Sequence, residues 1–386
     1  MIKTIYLDHN ATTPCAPEVL EAMLPYFREQ YGNPASEHFM GRQAAKAVEK
    51  AREQVADLLR CDATEIIFTA GATEGNNLVI RGARSRAPRR TAIVTSLVEH
   101  KSVLGPCDDM EAAGRSVLKI PVTGECLVDI GVAERLVSSN TLLVSVQAAN
   151  NEVGTIQPVK ELANIARSKG ALFHCDAAQA LGKIPFDVRD IGMDFASFSA
   201  HKLYGPKGVG ALYIRGGVPT SKLQAAFAGG GQEAGLRPGT LNVPAIVGMG
   251  EACRLAKARL AQGEAAALSS LRDYMEELLV GFVAGAVVNG GREGRLPGTT
   301  NLTLPQTPAD ALIANVPAVC FSSGSACTSG SLAPSHVLLA MGRSWDEARC
   351  SIRLAVGRHN SRDEIRNAAH LIRQAVQSLW ERLQKT

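Results

Sequence analysis

The sequence predicts an α/β fold: a large domain with a mainly parallel seven-stranded sheet covered by helices, and a smaller α/β domain. Between residues 64 and 214, short apolar segments alternate with stretches of helix length. This alternation is typical of helical crossovers between parallel strands, which cover both faces of the sheet. Seven strands are predicted, at residues 65–69, 91–95, 117–120, 141–147, 171–175, 194–199 and 209–214.

Helical spacing marks the segments outside the sheet. Ser36 is a candidate N-cap for a helix with one buried face, because apolar residues follow it at four-three-four-three spacing. These residues are Ala44, Val48, Ala51, Val55 and Leu58. Further helices are predicted at residues 18–30, 243–260, 264–283 and 362–383.

A second group of predicted strands begins after residue 283. It comprises residues 286–289, 299–304, 319–322 and 351–356. A chain of 386 residues is long enough for one large and one small domain. We therefore assign residues 15–255 to a large domain, and residues 1–14 together with 256–386 to a small domain.

Composition excludes several classes of protein. Hydrophobic residues make up 46% and charged residues 20%, as in ordinary globular proteins with a sizeable core. The net charge is only +4 and the single basic run, at 84–90, is short, so a nucleic-acid partner is not expected. The nine cysteines include no Cys-x-x-Cys pair, which disfavours structural zinc and a disulfide scaffold, so no metal site is predicted. Because the sequence shows neither a signal peptide nor a membrane span, we expect a cytoplasmic location.

Polar and small residues follow the carboxyl ends of the predicted strands, where ligands bind in open α/β sheets. Taken singly, each has an ordinary explanation, such as a capped turn, a helix N-cap or a surface lysine. Together they fit one ligand, pyridoxal 5'-phosphate, which needs a lysine amine, a carboxylate for its ring nitrogen and donors for its phosphate. The residues are Ala72, Thr73, His100, Asn151, Asp176, Gln179, Ser199, His201 and Lys202. The turn after Lys202 lacks the Walker A spacing, so a nucleotide triphosphatase is not predicted.

A second segment with chemistry lies at residues 322–331. Nine of its ten residues are Ser, Thr, Gly or Ala, and the tenth is Cys327. No large apolar side chain anchors this segment, so we expect Cys327 to be accessible to solvent, unlike Cys175 and Cys320. We favour a nucleophilic thiol at Cys327 over a passive surface thiol.

Taken together, these stretches resemble the group I cysteine desulfurases, the NifS/IscS-like enzymes of the class-V aminotransferase family. That family has the type I fold of pyridoxal-phosphate-dependent transferases. The matching stretches span nearly the whole chain, and the cysteine segment distinguishes group I from group II. They are residues 6–13, 71–74, 99–101, 149–154, 176–179, 199–202, 237–240 and 322–331.

The resemblance implies a reaction and a role for each residue. Lys202 would form a Schiff base with the cofactor and then move the proton at the substrate α-carbon, with His100 stacked on the ring. Cys327 would take the sulfur of L-cysteine as a persulfide, leave L-alanine, and pass the sulfur to an acceptor such as an iron–sulfur scaffold. The implied cofactor contacts are Ala72, Thr73, His100, Asn151, Asp176, Gln179, Ser199 and His201, with Thr240 from the other subunit of a homodimer. The implied contacts to the substrate carboxylate are Arg353, Asn151 and Asn33.

Other functions stay open on the sequence. A selenocysteine lyase or a small-substrate aminotransferase of the same fold would keep Lys202 without needing Cys327. A thiol hydrolase could use Cys327 with His336 or His100, but it leaves Asp176 and Lys202 unexplained. A non-catalytic sulfur-transfer scaffold would show no cofactor absorbance.

The chain also departs from the family pattern at two positions. Ala234 stands where the family usually has arginine, in a glycine-rich loop at residues 228–240 that would contact a second subunit. Gly75 replaces a usual serine near the phosphate turn. Neither change removes a residue with an implied catalytic role.

Overall fold

The computed structural model describes residues 4–84, 90–221, 223–323 and 333–384, which contain three β-sheets. The large sheet has seven strands in the order β2-β8-β7-β6-β5-β3-β4, and the smaller sheets have the orders β12-β10-β9 and β1-β11. The strands are β1 Ile5–Tyr6, β2 Ile66–Thr69, β3 Ala92–Ser96, β4 Val117–Ile120, β5 Thr141–Ser145, β6 Leu172–Asp176, β7 Phe195–Ser199, β8 Gly210–Ile214, β9 Val287–Val288, β10 Thr299–Thr303, β11 Val319–Cys320 and β12 Ser351–Ala355.

The large sheet confirms the predicted fold class. All seven predicted strands are present, and their ends differ from the prediction by no more than two residues. Strands β3 to β7 pair in parallel, whereas β8 runs antiparallel to both of its neighbours, β2 and β7. The connection from β7 to β8 spans only residues 200–209, which is too short for a helical crossover and therefore returns the chain antiparallel.

Helices pack on both faces of the large sheet, and others pack against strands β10 to β12. They are α1 Pro17–Met23, α2 Pro25–Arg28, α3 Phe39–Leu59, α4 Ala72–Gly82, α5 Lys101–Ala112, α6 Ile130–Leu136, α7 Val159–Ser168, α8 Val188–Ile191, α9 Val218–Ser221, α10 Val243–Ala261, α11 Glu264–Phe282, α12 Ala309–Asn315, α13 His336–Ala340, α14 Trp345–Arg349 and α15 Arg362–Leu383. Helix α15 has the predicted bounds, and its start is closed by a capping box between Ser361 and Glu364. None of the described helices combines the length and the apolar character needed to cross a membrane.

Two helix predictions near the N-terminus are wrong. The single helix predicted at 18–30 is two segments, α1 and α2, because Pro25 has no N–H to continue the hydrogen-bond ladder. The following helix does not begin at Ser36. It begins at Phe39, with Nδ1 of His38 accepting a hydrogen bond of 3.3 Å from the Gly41 backbone N–H.

The hydrophobic cores follow the two faces of the large sheet. On β2, Ile66 and Phe68 face the core shared with α3 and α10, whereas Ile67 faces the core shared with α4 and α5. A third core joins Ile5 and Leu7 of the N-terminal segment to α11, α15 and strands β10 to β12. The N-terminal residues therefore pack with the C-terminal part of the chain. The exact domain boundaries stay a prediction.

Candidate active site

One pocket of about 310 Å³ lies where β2, β3, β5, β6 and β7 end. It is lined by ten of the residues predicted from the sequence, nine from the large sheet and its loops and one from β12. They are Ala72, Thr73, His100, Asn151, Asp176, Gln179, Ser199, His201, Lys202 and Arg353. The structure thus brings together side chains that lie up to 281 positions apart, from residue 72 to residue 353.

The turn between β2 and α4 forms one end of the pocket. Helix α4 begins at Ala72, whose backbone N–H donates to Oγ of Ser199 at 2.9 Å. Gly71 has a φ of +155°, and a Cβ on it would lie 3.2 Å from the same oxygen. A Cβ on Gly210, at the start of β8, would lie only 2.6 Å from Gly71 Cα. Close backbone packing therefore shapes this turn, and its N–H groups and hydroxyls suit an anion such as a phosphate.

Gly75 is explained by the packing of α4 on β7. A Cβ at this position would lie 2.8 Å from Oγ of Ser197, closer than Cβ atoms are found to approach. The serine that the family usually carries would require Ser197 to move. Glycine at position 75 therefore allows α4 to pack close against β7.

Asp176, at the end of β6, is 7% exposed and is fixed by two hydrogen bonds. Its carboxylate accepts from Nδ2 of Asn76 at 2.7 Å and from the Ala178 backbone N–H at 3.0 Å. Nδ2 of Asn76 also donates to Oγ of Ser102 at 2.8 Å. The sequence analysis missed Asn76 and Ser102, although Asn76 lies one helical turn after Ala72 and could have been found by that spacing.

His100 is oriented by the same chain of hydrogen bonds. Its Nδ1 accepts from the Ser102 backbone N–H at 3.1 Å and lies 2.7 Å from the Ser102 hydroxyl. Because Nδ1 is an acceptor, the neutral imidazole carries its proton on Nε2. Asp176 and His100 are thus linked through Asn76 and Ser102.

Lys202 is held by the N-terminal segment. Its Nζ donates to the backbone oxygens of Asn10 at 2.6 Å and Ala11 at 2.7 Å. Nδ1 of His201 lies 3.1 Å from Oγ1 of Thr12. Burial and the charge of Lys202 lower the pKa of His201 to about 4, so its imidazole is neutral at physiological pH.

Asn10 is buried, and the sequence analysis named it only within the matching stretch 6–13. Its backbone oxygen also accepts from Nε2 of Gln179 at 3.0 Å. Its own Nδ2 donates to Oγ1 of Thr299 at 2.9 Å and to the backbone oxygen of Asn151 at 3.1 Å. Asn10 therefore joins the lysine side of the pocket to the small domain.

Arg353 reaches the pocket from β12, and its side chain is 3% exposed. Nη2 donates to Oδ1 of Asp8 at 2.6 Å and to Oγ of Ser322 at 3.0 Å, and Nη1 donates to the backbone oxygen of Asn151 at 3.2 Å. Its buried Nε has no hydrogen-bond partner among the described residues. The guanidinium is therefore fixed in place with donor capacity left for a carboxylate.

Cys327 lies outside the described residues, as does the rest of 324–332. The residues on either side of this segment contact the pocket region. Ser322 exchanges backbone hydrogen bonds of 2.7 and 3.2 Å with Arg353. Ser335 donates its hydroxyl to the carboxylate of Glu152, and Nε2 of His336 lies 3.1 Å from the backbone oxygen of Glu99. The described residues that flank 324–332 therefore form hydrogen bonds with Arg353 and with the loops after β3 and β5.

Glu99 supports the loop that carries His100. It is fully buried, with Oε1 2.5 Å from the Ser96 hydroxyl and Oε2 2.9 Å from the Gln147 backbone nitrogen. Burial raises the pKa of its carboxyl to about 8, so it is protonated at neutral pH. A neutral carboxyl thus connects the end of β3 to the end of β5.

Asn33 and Thr240 are not brought to this pocket within the chain. Both line a separate cavity of about 470 Å³, together with Ala234 and the ion pair of Arg52 with Glu233. Thr240 is predicted to contact the cofactor of a second subunit. Its position in this cavity does not test that prediction. A contact between Asn33 and the substrate carboxylate stays a prediction that this pocket does not support.

The residues of the pocket fit pyridoxal phosphate. They supply an amine, a carboxylate aligned by two donors, an imidazole, and a turn of N–H and hydroxyl groups for a phosphate. A chain built in this way is expected to match known enzymes that use this cofactor.

Comparison with known proteins decides the family. The model of the family described as aminotransferase class-V matches residues 5–367. The chain belongs to the class-V aminotransferase family. As a member of this family it is a pyridoxal-phosphate enzyme, which confirms the cofactor predicted from the sequence.

Relatives in the class-V family confirm the resemblance to NifS/IscS-like proteins. "Cysteine desulfurase IscS" of Anaeromyxobacter dehalogenans is 46% identical over 379 residues, covering 98% of this chain and 93% of that protein. A solved structure described as a NifS-like protein has a TM-score of 0.90 and 38% identity, covering 97% of this chain and 99% of its own. Another, "SspA in complex with cysteine", has a TM-score of 0.80 and 37% identity, covering 92% and 99%.

Proposed function

We propose that this chain is a pyridoxal-phosphate-dependent cysteine desulfurase, which moves the sulfur of L-cysteine to Cys327 and releases L-alanine. The observation that carries the proposal is the meeting of Lys202 and Arg353 in one pocket, and Ser322, which precedes the Cys327 segment, is hydrogen-bonded to Arg353. Relatives of this chain that are named cysteine desulfurases point to the same activity.

The pocket residues divide the work on the substrate. Pyridoxal phosphate, when bound, supplies an electron sink that weakens the bonds to the substrate α-carbon. Arg353 binds the substrate carboxylate with the donors that Asp8 and Asn151 leave unused. Lys202 takes a proton from the α-carbon and returns it, a role that an amine in a fixed position can perform.

Cys327 accepts the sulfur. Its thiolate attacks the sulfur of L-cysteine, the carbon–sulfur bond breaks, and the carbon fragment takes up protons to become L-alanine. The enzyme then carries a Cys327 persulfide, so the atoms of L-cysteine are all accounted for. Buried thiols could not replace it, since burial raises the pKa of Cys107 and Cys253 to about 12 and keeps them protonated.

Replacement of Cys327 tests the proposal. We expect Cys327→Ser to abolish persulfide formation and sustained alanine release from L-cysteine, while the visible absorbance of the bound cofactor is retained. The control is Cys15→Ser, which removes an exposed cysteine and should leave turnover at the level of the unchanged enzyme. Sustained desulfurase turnover by Cys327→Ser would show the assignment of Cys327 to be wrong.

A homodimer with shared active sites is part of the proposal. Beside the phosphate end of the pocket lies an open cavity of about 980 Å³, lined by Thr73, Ser199 and Phe227. The Phe227 side chain is 61% exposed there, which suits contact with a second copy that supplies Thr240 of the partner subunit. Sedimentation should give twice the chain mass of 40.8 kDa, and a monomer at micromolar concentration would contradict this.

The persulfide needs an acceptor, for which we propose a sulfur-accepting protein such as an iron–sulfur scaffold in the cytoplasm. The eight cysteines of the described residues are all free, as is usual in a reducing compartment. Transfer of labelled sulfur from the persulfide to a purified scaffold would support this partner. No transfer above that to free thiols would contradict it.

A further inference from the structure

Lys183 is a second lysine beside the pocket that the sequence analysis did not assign, and it lines a small adjoining cavity together with Asn10 and Lys202. It lies four residues after Gln179, in the turn that follows β6. Its Nζ donates to Oε1 of Gln179 at 2.6 Å and to Oδ1 of Asn10 at 3.1 Å. The ammonium is therefore held by two side chains that also belong to the surroundings of Lys202.

Asn10 connects the two lysines directly. Its side-chain oxygen accepts from Lys183, and its backbone oxygen accepts from Nζ of Lys202 at 2.6 Å. The same backbone oxygen accepts from Nε2 of Gln179 at 3.0 Å. Lys183, Gln179, Asn10 and Lys202 thus form one network at the edge of the pocket.

Lys183 determines which way the Gln179 amide points. An ammonium can only donate hydrogen bonds, so the atom 2.6 Å from it must be the amide oxygen. The amide nitrogen is then turned away from Lys183, and one of its N–H groups donates to the backbone oxygen of Asn10. Because Gln179 lines the pocket, Lys183 fixes it as a donor rather than an acceptor.

We propose that Lys183 is a positioning residue of the active site, which orients the Gln179 amide and makes the nitrogen of Lys202 less basic. The inference rests on cofactor attachment at Lys202 but not on the identity of the substrate. It therefore deepens the proposed function and can fail while that function holds.

The charges around Lys183 support this effect on basicity. Burial, Lys202 and Arg353 together lower the pKa of Lys183 to about 7, so Lys183 carries its positive charge below that pH, where the repulsion in turn opposes protonation of Lys202. Other titratable groups near Lys183 are His9, His201 and, across a small cavity of about 30 Å³, Tyr204 and Glu264 with its partner Arg358; burial raises the pKa of Tyr204, which therefore stays neutral. Both histidines have a pKa lowered to about 4, and Glu264 is paired with Arg358, so none of them cancels the charge of Lys183.

Two uncharged replacements separate the two roles. Lys183→Met removes both the charge and the hydrogen bond to Gln179, whereas Lys183→Gln removes the charge and keeps an amide N–H that can donate to Oε1. The matched control is Lys160→Met, which removes an exposed lysine paired with Asp190. All three are studied as holoenzymes with bound pyridoxal phosphate.

The readout is the visible absorbance of the bound cofactor as a function of pH, which reports protonation of the nitrogen that joins it to Lys202. We expect both Lys183→Met and Lys183→Gln to raise the apparent pKa of this titration by about one unit, because a nearby positive charge no longer opposes protonation. We expect Lys183→Met to lose bound cofactor roughly tenfold more readily than Lys183→Gln, because only Met loses the bond to Gln179.

The outcomes decide between a positioning role and a merely structural one. If both uncharged variants titrate like the unchanged enzyme and like Lys160→Met, Lys183 has no effect on Lys202 and the proposal is wrong. Should Lys183→Met fail to fold, the Lys183→Gln titration alone makes the same decision. The measurement needs no desulfurase turnover, so it stays distinct from the test at Cys327.

Discussion

The large sheet and the small sheet contribute to the active site in different ways. The large sheet supplies nine of the predicted pocket residues, which lie at or just after the ends of five of its strands. The small sheet supplies Arg353 alone, and its guanidinium depends on Asp8, 345 positions away along the chain. The residues of the cofactor side are thus placed by one shared edge of one sheet, whereas the substrate side depends on a contact between the two ends of the chain.

Removal of the amine on the cofactor side should have the largest effect. We expect Lys202→Ala to lower kcat/KM by about 10³-fold or more, because proton transfer by a positioned group contributes 10²–10⁴-fold and cofactor attachment is lost as well. The visible absorbance should also shift to that of unattached cofactor. Lys257→Ala, at an exposed lysine paired with Asp57, is the control. If Lys202→Ala retained both the absorbance and the activity, Lys202 would not be the residue that attaches the cofactor.

A conservative change on the substrate side should have a smaller and different effect. We expect Arg353→Lys to raise KM for L-cysteine roughly 30-fold, since a lysine cannot reproduce charge-assisted hydrogen bonds worth about 2 kcal/mol. Cofactor absorbance should be unchanged, and Arg366→Lys, at an exposed arginine, should behave like the unchanged enzyme. A fall in kcat with no change in KM would place Arg353 on the cofactor side instead.

The smallest effect should come from the carboxyl beneath His100. The pKa of Glu99 is raised by burial from 4.5 to about 8, so between these values the folded protein binds a proton that the unfolded chain releases. The free energy of unfolding should therefore fall as pH rises from 5 to 8, by up to about 1.4 kcal/mol per pH unit. Glu99→Gln cannot titrate and should lose this slope.

Denaturant unfolding at several pH values measures this difference. The control is Glu161→Gln, at an exposed carboxylate, which should keep the slope of the unchanged protein. Parallel curves for Glu99→Gln and the unchanged protein would mean that Glu99 is ionised in the fold. The end of β3 would then be joined to β5 by a charge rather than by a neutral carboxyl.

The sequence could predict the cofactor side because parallel strands end at one edge. Thr73, Asp176 and Lys202 each follow a predicted strand, so their meeting required no knowledge of distant contacts. The sheet and the comparisons confirm the fold class, and the comparisons confirm the family, the cofactor and the cysteine desulfurase activity. The individual roles of these residues stay proposals.

The connectors between the two sides could not be predicted in this way. The segment with Asp8 and Asn10 looks like a polar turn until Ile5 pairs with Val319, and only that pairing brings it over the pocket. Lys183 does leave a signal, since it follows Gln179 by four residues, but that spacing is common in surface turns. Pro25 is visible in the sequence, but helix-forming residues on both sides of it favour one continuous helix, so the sequence does not predict the break.

The two glycines behind the phosphate turn bear on which substitutions the chain can tolerate. Gly71 and Gly210 lie so close that a Cβ on Gly210 would press against Gly71 Cα at 2.6 Å. In a library scored for function, we expect both positions to retain glycine as strictly as position 202 retains lysine. Gly208 offers the contrast, because its φ is +79° but a Cβ would meet nothing within 4 Å, so asparagine should be accepted there. Variation at 210 equal to that at 208 would contradict this expectation. Two glycines, which have no side chain to contact a ligand, therefore limit which substitutions are tolerated at this edge of the sheet.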